Sequence, residues 1–317
     1  MSTLRQAAAD YLAIRRSLGF KLVSQGYLLD SFVGYAEQAG ASRVSVQLAL
    51  AWAELPVGRD PYWCARRLGV VRGFAGYLHC LDPATEVPPA DLLPQRTRRA
   101  TPYLYTAEQV AALMAAAGSL RSPLIAATVE TLIGLLVTTG MRVGEAIALD
   151  RTGIDWDDGV ITVVAGKFGR SREVPLHPTA VDALQAYARR RDVLCPAPTV
   201  PSFFVSTAGT RLIPADVRRT FGTLVRTVGL QPRSQRCRPR IHDFRHRFAV
   251  ATLLDWYRAG ADVQARLPLL SSYLGHVDPS STYWYYSDSR VIPMPAPSCV
   301  RGPGPWLTRS GNYRLSE

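Results

Sequence analysis

The apolar run LIAATVETLIGLLVTTG, residues 124–140, constrains the fold of this chain more than any other feature. Glu130 and several threonines interrupt the run, which argues against a membrane span. The pattern therefore predicts a helix buried in a protein core. The chain has 317 residues, which is long enough for two domains of ordinary size and a sizeable core.

The first part of the chain, up to about residue 82, has the periodicity of helices. Apolar residues recur at spacings of three and four, and Gly19 and Gly40 are placed as stop signals. This pattern predicts four or five helices in a bundle. We therefore expect a helical domain over residues 1–95.

A proline-rich stretch without periodicity, DPATEVPPADLLPQRTRRATPYL, follows these helices and predicts a linker, which we place at residues 96–103. Arg96, Arg98 and Arg99 lie in it. Two interpretations remain open for these arginines. They are either solvated linker residues or a basic strap that binds a phosphate backbone.

The second domain is expected over residues 104–290. It begins with a predicted capping box, in which Thr106 is the N-cap and Gln109 lies three residues later. The stretch GVITVVAGKFGRSREVPL then alternates around the turn GKFGR, which predicts a β-hairpin over about residues 159–176. The expected fold class is mainly α with a small β-sheet.

Further elements follow the hairpin. The sequence SFFVS, residues 202–206, predicts a short strand, and a helix is predicted from His242 to Tyr257. The last segment, residues 291–317, is rich in proline and glycine. A continuous helix is excluded between Pro293 and Pro305, so we expect an atypical C-terminal tail.

The charge of the chain indicates the class of its partner. The net charge is +12 and the isoelectric point is about 9.8, which favours a polyanion, first a nucleic acid and second an anionic membrane surface. Of the 37 basic residues only Lys21 and Lys167 are lysines. This excess of arginine fits a coding bias, so each lysine is more informative than each arginine.

The cysteines and the N-terminus indicate the compartment. The five cysteines are scattered, without a C-x-x-C pair or a zinc-binding spacing, which fits a reducing cytosol. The first residues lack the apolar stretch of a signal peptide. We therefore expect a cytoplasmic protein with no bound metal.

The stretch RIHDFRHRF places His242, Arg245 and His246 on one helical face, at positions i, i+3 and i+4. Taken alone, this is more often a basic surface helix than a site. In TTGMRVGEAIAL, Arg142 follows a glycine at a predicted helix start. Glu145 lies one turn on and could orient its guanidinium.

Three further features of the sequence are candidates for the same site. Lys167 lies at the predicted hairpin tip, where a lysine can give up a proton and an arginine cannot. His276 ends the motif YLGH. Several tyrosines come directly after it in STYWYY, and chemistry alone does not select among them. They are Tyr283, Tyr285 and Tyr286.

With these motifs in this order, the chain resembles the tyrosine recombinases, the integrase family of DNA strand-exchange enzymes. The order runs TGMRVGE, a hairpin lysine, HDFRH, LGH and then a tyrosine nine residues after that histidine. The resemblance implies an N-terminal helical core-binding domain of SAM-like fold and an α+β catalytic domain. It also implies a site-specific recombinase or integrase of a bacterial mobile element, for integration or transposition.

The resemblance implies a role for each matching residue. Arg142 and Arg245 would grip the scissile phosphate, and Tyr285 would be the nucleophile. His242 would act as the base, and His276 would donate a hydrogen bond to the phosphate. The hairpin lysine, Lys167, would protonate the leaving oxygen. Glu145 and His246 are expected to support these groups.

These roles fit the chemistry of metal-free strand cleavage. A tyrosine that attacks phosphorus keeps the bond energy in a 3′-phosphotyrosyl linkage, so ATP is not needed. Paired guanidinium donors match the charged oxygens of the transition state. The densest carboxylate cluster is DWDD, residues 155–158, and it predicts a turn and not a metal site.

We expect double-stranded DNA as the partner, a homo-tetramer on synapsed sites, either alone or with partner recombinases, and no cofactor or membrane. Basic residues before the motif helix are candidates for binding DNA, namely Arg236, Arg238 and Arg240. Two alternatives stay open. One is a DNA-binding protein of this fold with impaired turnover, and the other is a relaxing enzyme like the type IB topoisomerases.

Overall fold

The chain forms two units, Met1–Arg99 and Ala100–Glu317, in a computed structural model that describes residues 3–55, 58–94, 100–164 and 171–276. Each unit has a hydrophobic core of its own. The domain limits given above stay predictions, because this division does not test whether each part folds alone.

The described part of the first unit contains four helices, within the expected number. They are α1 (Leu4–Ser17), α2 (Val23–Gln38), α3 (Val46–Glu54) and α4 (Pro61–Leu81). The side chains of Thr3, Ser45 and Asp60 cap α1, α3 and α4 by accepting hydrogen bonds from first-turn N–H groups. Large aromatic side chains fill the space between the helices, namely Phe32, Trp52 and Phe74.

The second unit is built around the apolar helix predicted from the sequence. This helix, α6 (Pro123–Thr139), is buried along most of its length and packs against three other helices, α5 (Ala107–Gly118), α8 (Pro178–Leu194) and α10 (Asp243–Arg258). The predicted capping box of Thr106 and Gln109 is present at the start of α5. Within the residues described, no helix is both long enough and apolar enough to cross a lipid bilayer.

Three further helices complete the described part of this unit. They are α7 (Val143–Ala148), α9 (Pro214–Thr227) and α11 (Val263–Leu274). The predicted motif helix corresponds to α10, which begins directly after His242. A second apolar cluster lies between α10 and α11 and includes Leu253 and Leu270. This packing holds the two helices that carry the candidate site residues.

A small antiparallel sheet has the order β1 (Ile154–Asp155), β2 (Val160–Val163) and β3 (Arg172–Pro175). The predicted hairpin corresponds to β2 and β3, and its tip, residues 165–170, lies outside the described residues. Ile161 pairs with Val174 on the buried face of the sheet. The alternation of apolar residues explains why this face packs on the core. Strand β1 was not predicted.

The predicted strand at SFFVS is wrong. Ser202 and Val205 make only isolated bridges, to Asp150 and Arg211. Phe203 and Phe204 are both buried, so adjacent side chains enter the core together. Their ring centroids lie 5.0 Å apart, so the two adjacent side chains lie on the same side of the chain, unlike successive side chains of a strand.

Candidate active site

Arg142 lies in the sharp turn between α6 and α7. Helix α6 ends at Thr139. The next residue, Gly140, reverses the chain with a φ of +61°, and Arg142 directly precedes α7. The carboxylate of Glu145 accepts the main-chain N–H of Arg142 at 3.0 Å and its Nη1–H at 2.6 Å. The expected contact between these residues is therefore present. It holds the guanidinium in a fixed position relative to its own backbone.

Arg245 lies in the first turn of α10 and is only 2% exposed. It donates from Nη1 to the carbonyl oxygen of Gly140 at 2.9 Å and from Nη2 to that of Leu274. Arg142 donates from Nη2 to the next carbonyl, Gly275, at 2.8 Å. The two arginines, far apart in sequence, thus meet at the C-terminal end of α11.

Arg172, the first residue of β3, belongs to the same arrangement, and the sequence analysis did not single it out. Its Nε donates to the carbonyl oxygen of Tyr273 at 2.8 Å. Its two terminal nitrogens donate to both oxygens of Glu145, at 3.2 and 2.7 Å. Three consecutive carbonyls at the end of α11 therefore each accept an arginine. This satisfies groups that a helix end leaves without partners.

Glu145 is the shared anion of this arrangement, and its side chain is only 6% exposed. Burial alone would raise the pKa of Glu145. The hydrogen bonds and charges of Arg172 and Arg142 outweigh that effect and lower the pKa to about 2. The carboxylate is therefore ionised at neutral pH and binds both guanidiniums.

Two of the three candidate histidines stack edge to face. The rings of His242 and His246 are 5.3 Å apart between centroids at an interplanar angle of 88°. The third, His276, follows Gly275, which has a φ of +66°. A Cβ atom at Gly275 would lie 2.9 Å from the Nη1 of Arg172. The glycine before the histidine thus allows the guanidinium of Arg172 to approach the backbone closely.

The surroundings of the histidines hold them neutral. His242 is exposed as a residue, yet desolvation of its ring by the side chains around it and the charges of Arg245, Arg240 and Arg142 lower its pKa to about 4. Partial burial and the charges of Arg245, Arg142 and Arg172 also lower the pKa of His276 to about 4, and burial lowers that of His246 to about 3. The arginine charges that contribute to these shifts also give this region a positive electrostatic potential.

Arg240 and Asp243 form an ion pair behind the histidines. Arg240 donates from Nε and Nη2 to the carboxylate at 3.1 and 2.8 Å, and from its main-chain N–H at 3.2 Å. Asp243 is fully buried, and burial raises its pKa. One of its oxygens lies 3.9 Å from Nε2 of His246. Arg240 stays a candidate for binding DNA, because its side chain is half-exposed while it bonds to this carboxylate.

The other candidate residues for binding DNA differ in position. Arg236 and Arg238 lie in an exposed loop before α10, where the Nε of Arg238 donates to the carbonyl of Gln235. Several predicted residues lie outside the part of the chain that the structure describes. They are Arg96, Arg98, Arg99, Lys167, Tyr283, Tyr285 and Tyr286.

The carboxylates of DWDD form a turn, as predicted. Asp155 accepts the main-chain N–H groups of Asp157 and Asp158, both at 3.0 Å. Over residues 3–55, 58–94, 100–164 and 171–276, no group of three or more His, Cys, Asp or Glu side chains is arranged to hold a metal ion.

The arrangement is suited to a phosphate group. Two fixed arginines present planar sets of N–H donors, which match the oxygens of a phosphate in paired hydrogen bonds. Neutral imidazoles beside them can each accept one proton and donate another. A positive potential favours the anion and the negative charge that develops as its phosphorus is attacked.

Comparisons with known proteins agree with this chemistry. The model of a family described as "Phage integrase family" matches residues 104–290. The chain is 42% identical over 295 residues to "Putative integrase/recombinase y4rB" of Sinorhizobium fredii, an alignment that covers 91% of this chain and 94% of that protein. It is 29% identical over 269 residues to "Tyrosine recombinase XerC" of Pseudomonas putida, covering 83% and 84% of the two chains.

A solved structure of similar fold is that of the Tn1549 transposon integrase in complex with a circular intermediate DNA. The TM-score is 0.65 at 18% sequence identity, and the match covers 90% of this chain and 95% of that one. This similarity extends over both units, which confirms the mainly helical fold with a small sheet.

Proposed function

We infer the function of this chain from its family: it belongs to the phage integrase family, the tyrosine recombinases, and is an enzyme that breaks and rejoins DNA strands without a metal ion or ATP. We propose that it acts at specific DNA sites of a bacterial mobile element. Its similarity to a transposon integrase supports this role. The element would supply the DNA ends that are cut and joined.

One observation carries the proposal for the site. Arg142 and Arg245 both bind the C-terminal end of α11, at the carbonyls of Gly275 and Leu274. We propose that these two arginines bind the non-bridging oxygens of the scissile phosphate. Because their positions are fixed before DNA binds, they can stabilise the transition state without reorganisation.

Tyr285 is proposed as the nucleophile. It lies nine residues after His276, the spacing that the family motif requires, whereas its neighbours Tyr283 and Tyr286 do not match. Attack of its phenolic oxygen on phosphorus forms a 3′-phosphotyrosyl bond and releases the 5′-oxygen. Attack by a 5′-hydroxyl on that bond reverses the chemistry and restores the phenol.

Two proton transfers accompany these steps. We propose that His242 accepts the proton of the phenol: its lowered pKa keeps the ring neutral in the free protein, and the negative charge of a bound phosphate would raise that pKa and make the ring a stronger base. Lys167 is proposed to protonate the departing 5′-oxygen. His276 is proposed to donate an N–H to the phosphate, and His246 to support His242 through their edge-to-face contact.

The partner proposed for this surface is double-stranded DNA. The exposed loop with Arg236 and Arg238 adds basic groups close to the candidate site, and the linker arginines Arg96, Arg98 and Arg99 would add further phosphate contacts. Strand exchange between two sites needs four cuts, so we propose a homo-tetramer on synapsed DNA. The nucleoid would be its place of action.

The test is capture of a covalent adduct. The DNA that flanks the gene is first sequenced to locate short inverted repeats, and the substrate is a nicked duplex of such a repeat, so that the cleaved strand diffuses away. Wild-type protein is expected to form an adduct in EDTA and without ATP, and Tyr285→Phe is expected to form none. Tyr283→Phe and Tyr286→Phe serve as matched controls and should retain the adduct.

Other outcomes identify the alternatives. An adduct formed by Tyr285→Phe at the wild-type level would show that the nucleophile is misassigned. Retardation of the duplex without any adduct would indicate a binding protein with impaired turnover. Relaxation of supercoiled plasmids that lack the repeats would indicate an enzyme of the type IB topoisomerase kind.

A further inference from the structure

We propose that Arg172 is a positioning residue for the cleavage reaction, an inference that rests on the proposed function of Arg142 and His276. It would act through Glu145 and the end of α11, without contacting DNA. The basis is its place at the centre of the hydrogen bonds that connect these groups.

The first part of the proposal concerns Glu145. This carboxylate accepts two hydrogen bonds from Arg142 and two from Arg172, so both of its oxygens are shared between the two arginines. Arg142 alone could hold Glu145 in more than one rotamer. The fork of Arg172 fixes the plane of the carboxylate, and the carboxylate in turn fixes the guanidinium of Arg142.

The second part concerns α11. The Nε of Arg172 donates to the carbonyl oxygen of Tyr273, while Arg142 donates to that of Gly275, two residues later. The next residue is His276. Arg172 therefore connects strand β3, Glu145 and the chain segment that carries His276. Its side chain is only 13% exposed, which limits the number of rotamers it can adopt.

The geometry requires arginine in particular. One guanidinium spans three acceptors that belong to Glu145 and Tyr273, with N–H groups in a rigid plane. A lysine ammonium could bind Glu145 but could not reach the carbonyl of Tyr273 in the same orientation. Arg172→Lys is thus a conservative variant that keeps the charge and removes the connection.

The first experiment measures the rate of single-turnover adduct formation at saturating DNA. We expect Arg172→Lys and Arg172→Ala to cleave about 10- to 100-fold more slowly than wild type, since small displacements of catalytic groups have effects of this size. The dissociation constant for DNA should change less than threefold. The matched control is Arg151→Ala, because Arg151 makes a two-pronged ion pair with Asp192 away from these residues.

A double-mutant cycle separates positioning from general destabilisation. Because Arg172 acts through Arg142 and also through the segment that carries His276, the double variant Arg142→Ala/Arg172→Ala should lose clearly less activity than the product of the two single losses. Effects that multiply would overturn the proposal, and so would a wild-type cleavage rate for Arg172→Lys.

Amide hydrogen exchange tests the positioning role of Arg172 without a cleavage assay. A failure of the positioning proposal can therefore be distinguished from a failure of the proposed function. The N–H groups of Gly275 and His276 bond to Ser272 and Ser271. In Arg172→Ala they should exchange at least about tenfold faster, with little change in α9. Unchanged exchange at the end of α11 would overturn the proposal, even if the wild-type protein formed no adduct. In that case the adduct assay alone would reject the proposed function.

Discussion

The guanidinium of Arg142 lies 2.8 Å from the carbonyl oxygen of Gly275, so the start of α7 is bonded directly to the end of α11. Gly275 immediately precedes His276. The proposed phosphate-binding arginine and the proposed phosphate-binding histidine therefore share one support. A displacement of Gly275 and His276 should move both phosphate-binding groups. Cleavage should therefore require that these two residues are held in a fixed position.

Arg142→Lys should abolish most cleavage while the protein still binds DNA. Arg142 reaches Glu145 and Gly275 from two separate nitrogens, whereas the three N–H groups of a lysine are all on one nitrogen, so a lysine cannot span these acceptors and a phosphate oxygen. We expect adduct formation to slow by about 10²- to 10³-fold, the usual loss for one preorganised donor. Single-turnover cleavage on the nicked duplex measures this, with Arg151→Lys as the control. A loss that appears only as weaker DNA binding would contradict the assigned role.

Much of this site could be predicted because its signals are local in sequence. The spacing of His242 and His246 places them on one helical face, and their rings do stack. The pattern of Arg142 and Glu145 predicts a contact across one turn, and that contact is present. Both inferences depend only on helix geometry, which a few consecutive residues determine.

The contacts that cross between elements could not be predicted in this way. Arg172 stands in the stretch GKFGRSREVPL, but nothing in its neighbours indicates that it bonds to Glu145 and Tyr273. The adjacent Phe203 and Phe204 were assigned to a strand because their β propensity is high. Core packing overrides that propensity.

Arg240→Ala should affect mainly the stability of the protein and Arg236→Ala mainly its binding to DNA, although both remove one arginine from the same basic run. Arg240→Ala leaves the carboxylate of Asp243 buried without its main partner, which should destabilise the protein by about 3 kcal/mol. Arg236→Ala should leave the free energy of unfolding unchanged. It should reduce the slope of the logarithm of the DNA-binding constant against the logarithm of salt concentration by about 1, since one phosphate contact is lost.

Urea unfolding and binding titrations over a range of salt concentrations measure these two effects. Arg238→Ala provides a second exposed residue and should resemble Arg236→Ala. A stable Arg240→Ala protein with a reduced salt slope would show that the arginine binds phosphate and that its bond to Asp243 is dispensable.

The histidines should make the free protein less stable in mild acid. The pKa values of His242, His246 and His276 are lowered to about 4, 3 and 4, below the ordinary value of 6.5. Between pH 6.5 and 4 the unfolded chain therefore binds more protons than the folded one. The free energy of unfolding therefore increases with pH across this window. As the pH falls, the contribution of these histidines to stability decreases.

Urea unfolding at several pH values checks this dependence. His246→Gln removes one titrating group, so its slope in this window should be smaller by up to about 1.4 kcal/mol per pH unit. Bound DNA should reduce the slope as well, because a phosphate beside the rings favours their protonated forms. Equal slopes in wild type and His246→Gln would contradict the assignment of this effect to the buried ring.

Gly140→Ala should disrupt both the fold and the site, because Gly140 combines a positive φ with a close contact. Its φ is +61°, and a Cβ atom would lie 2.6 Å from the ring of Phe248. The strained backbone and the displaced ring should together destabilise the protein by about 2–4 kcal/mol. The carbonyl of Gly140 accepts from Arg245, so cleavage should also slow.

The matched control is Gly222→Ala, a glycine in α9 with no described neighbour within 4 Å of the added carbon. Alanine favours a helix interior, so this variant should be more stable than wild type by about 0.5–1 kcal/mol and should cleave normally. Thermal unfolding and adduct formation measure both variants. Should Gly140→Ala prove as stable and as active as wild type, the turn before Arg142 would not be the rigid support that holds the two phosphate-binding arginines together.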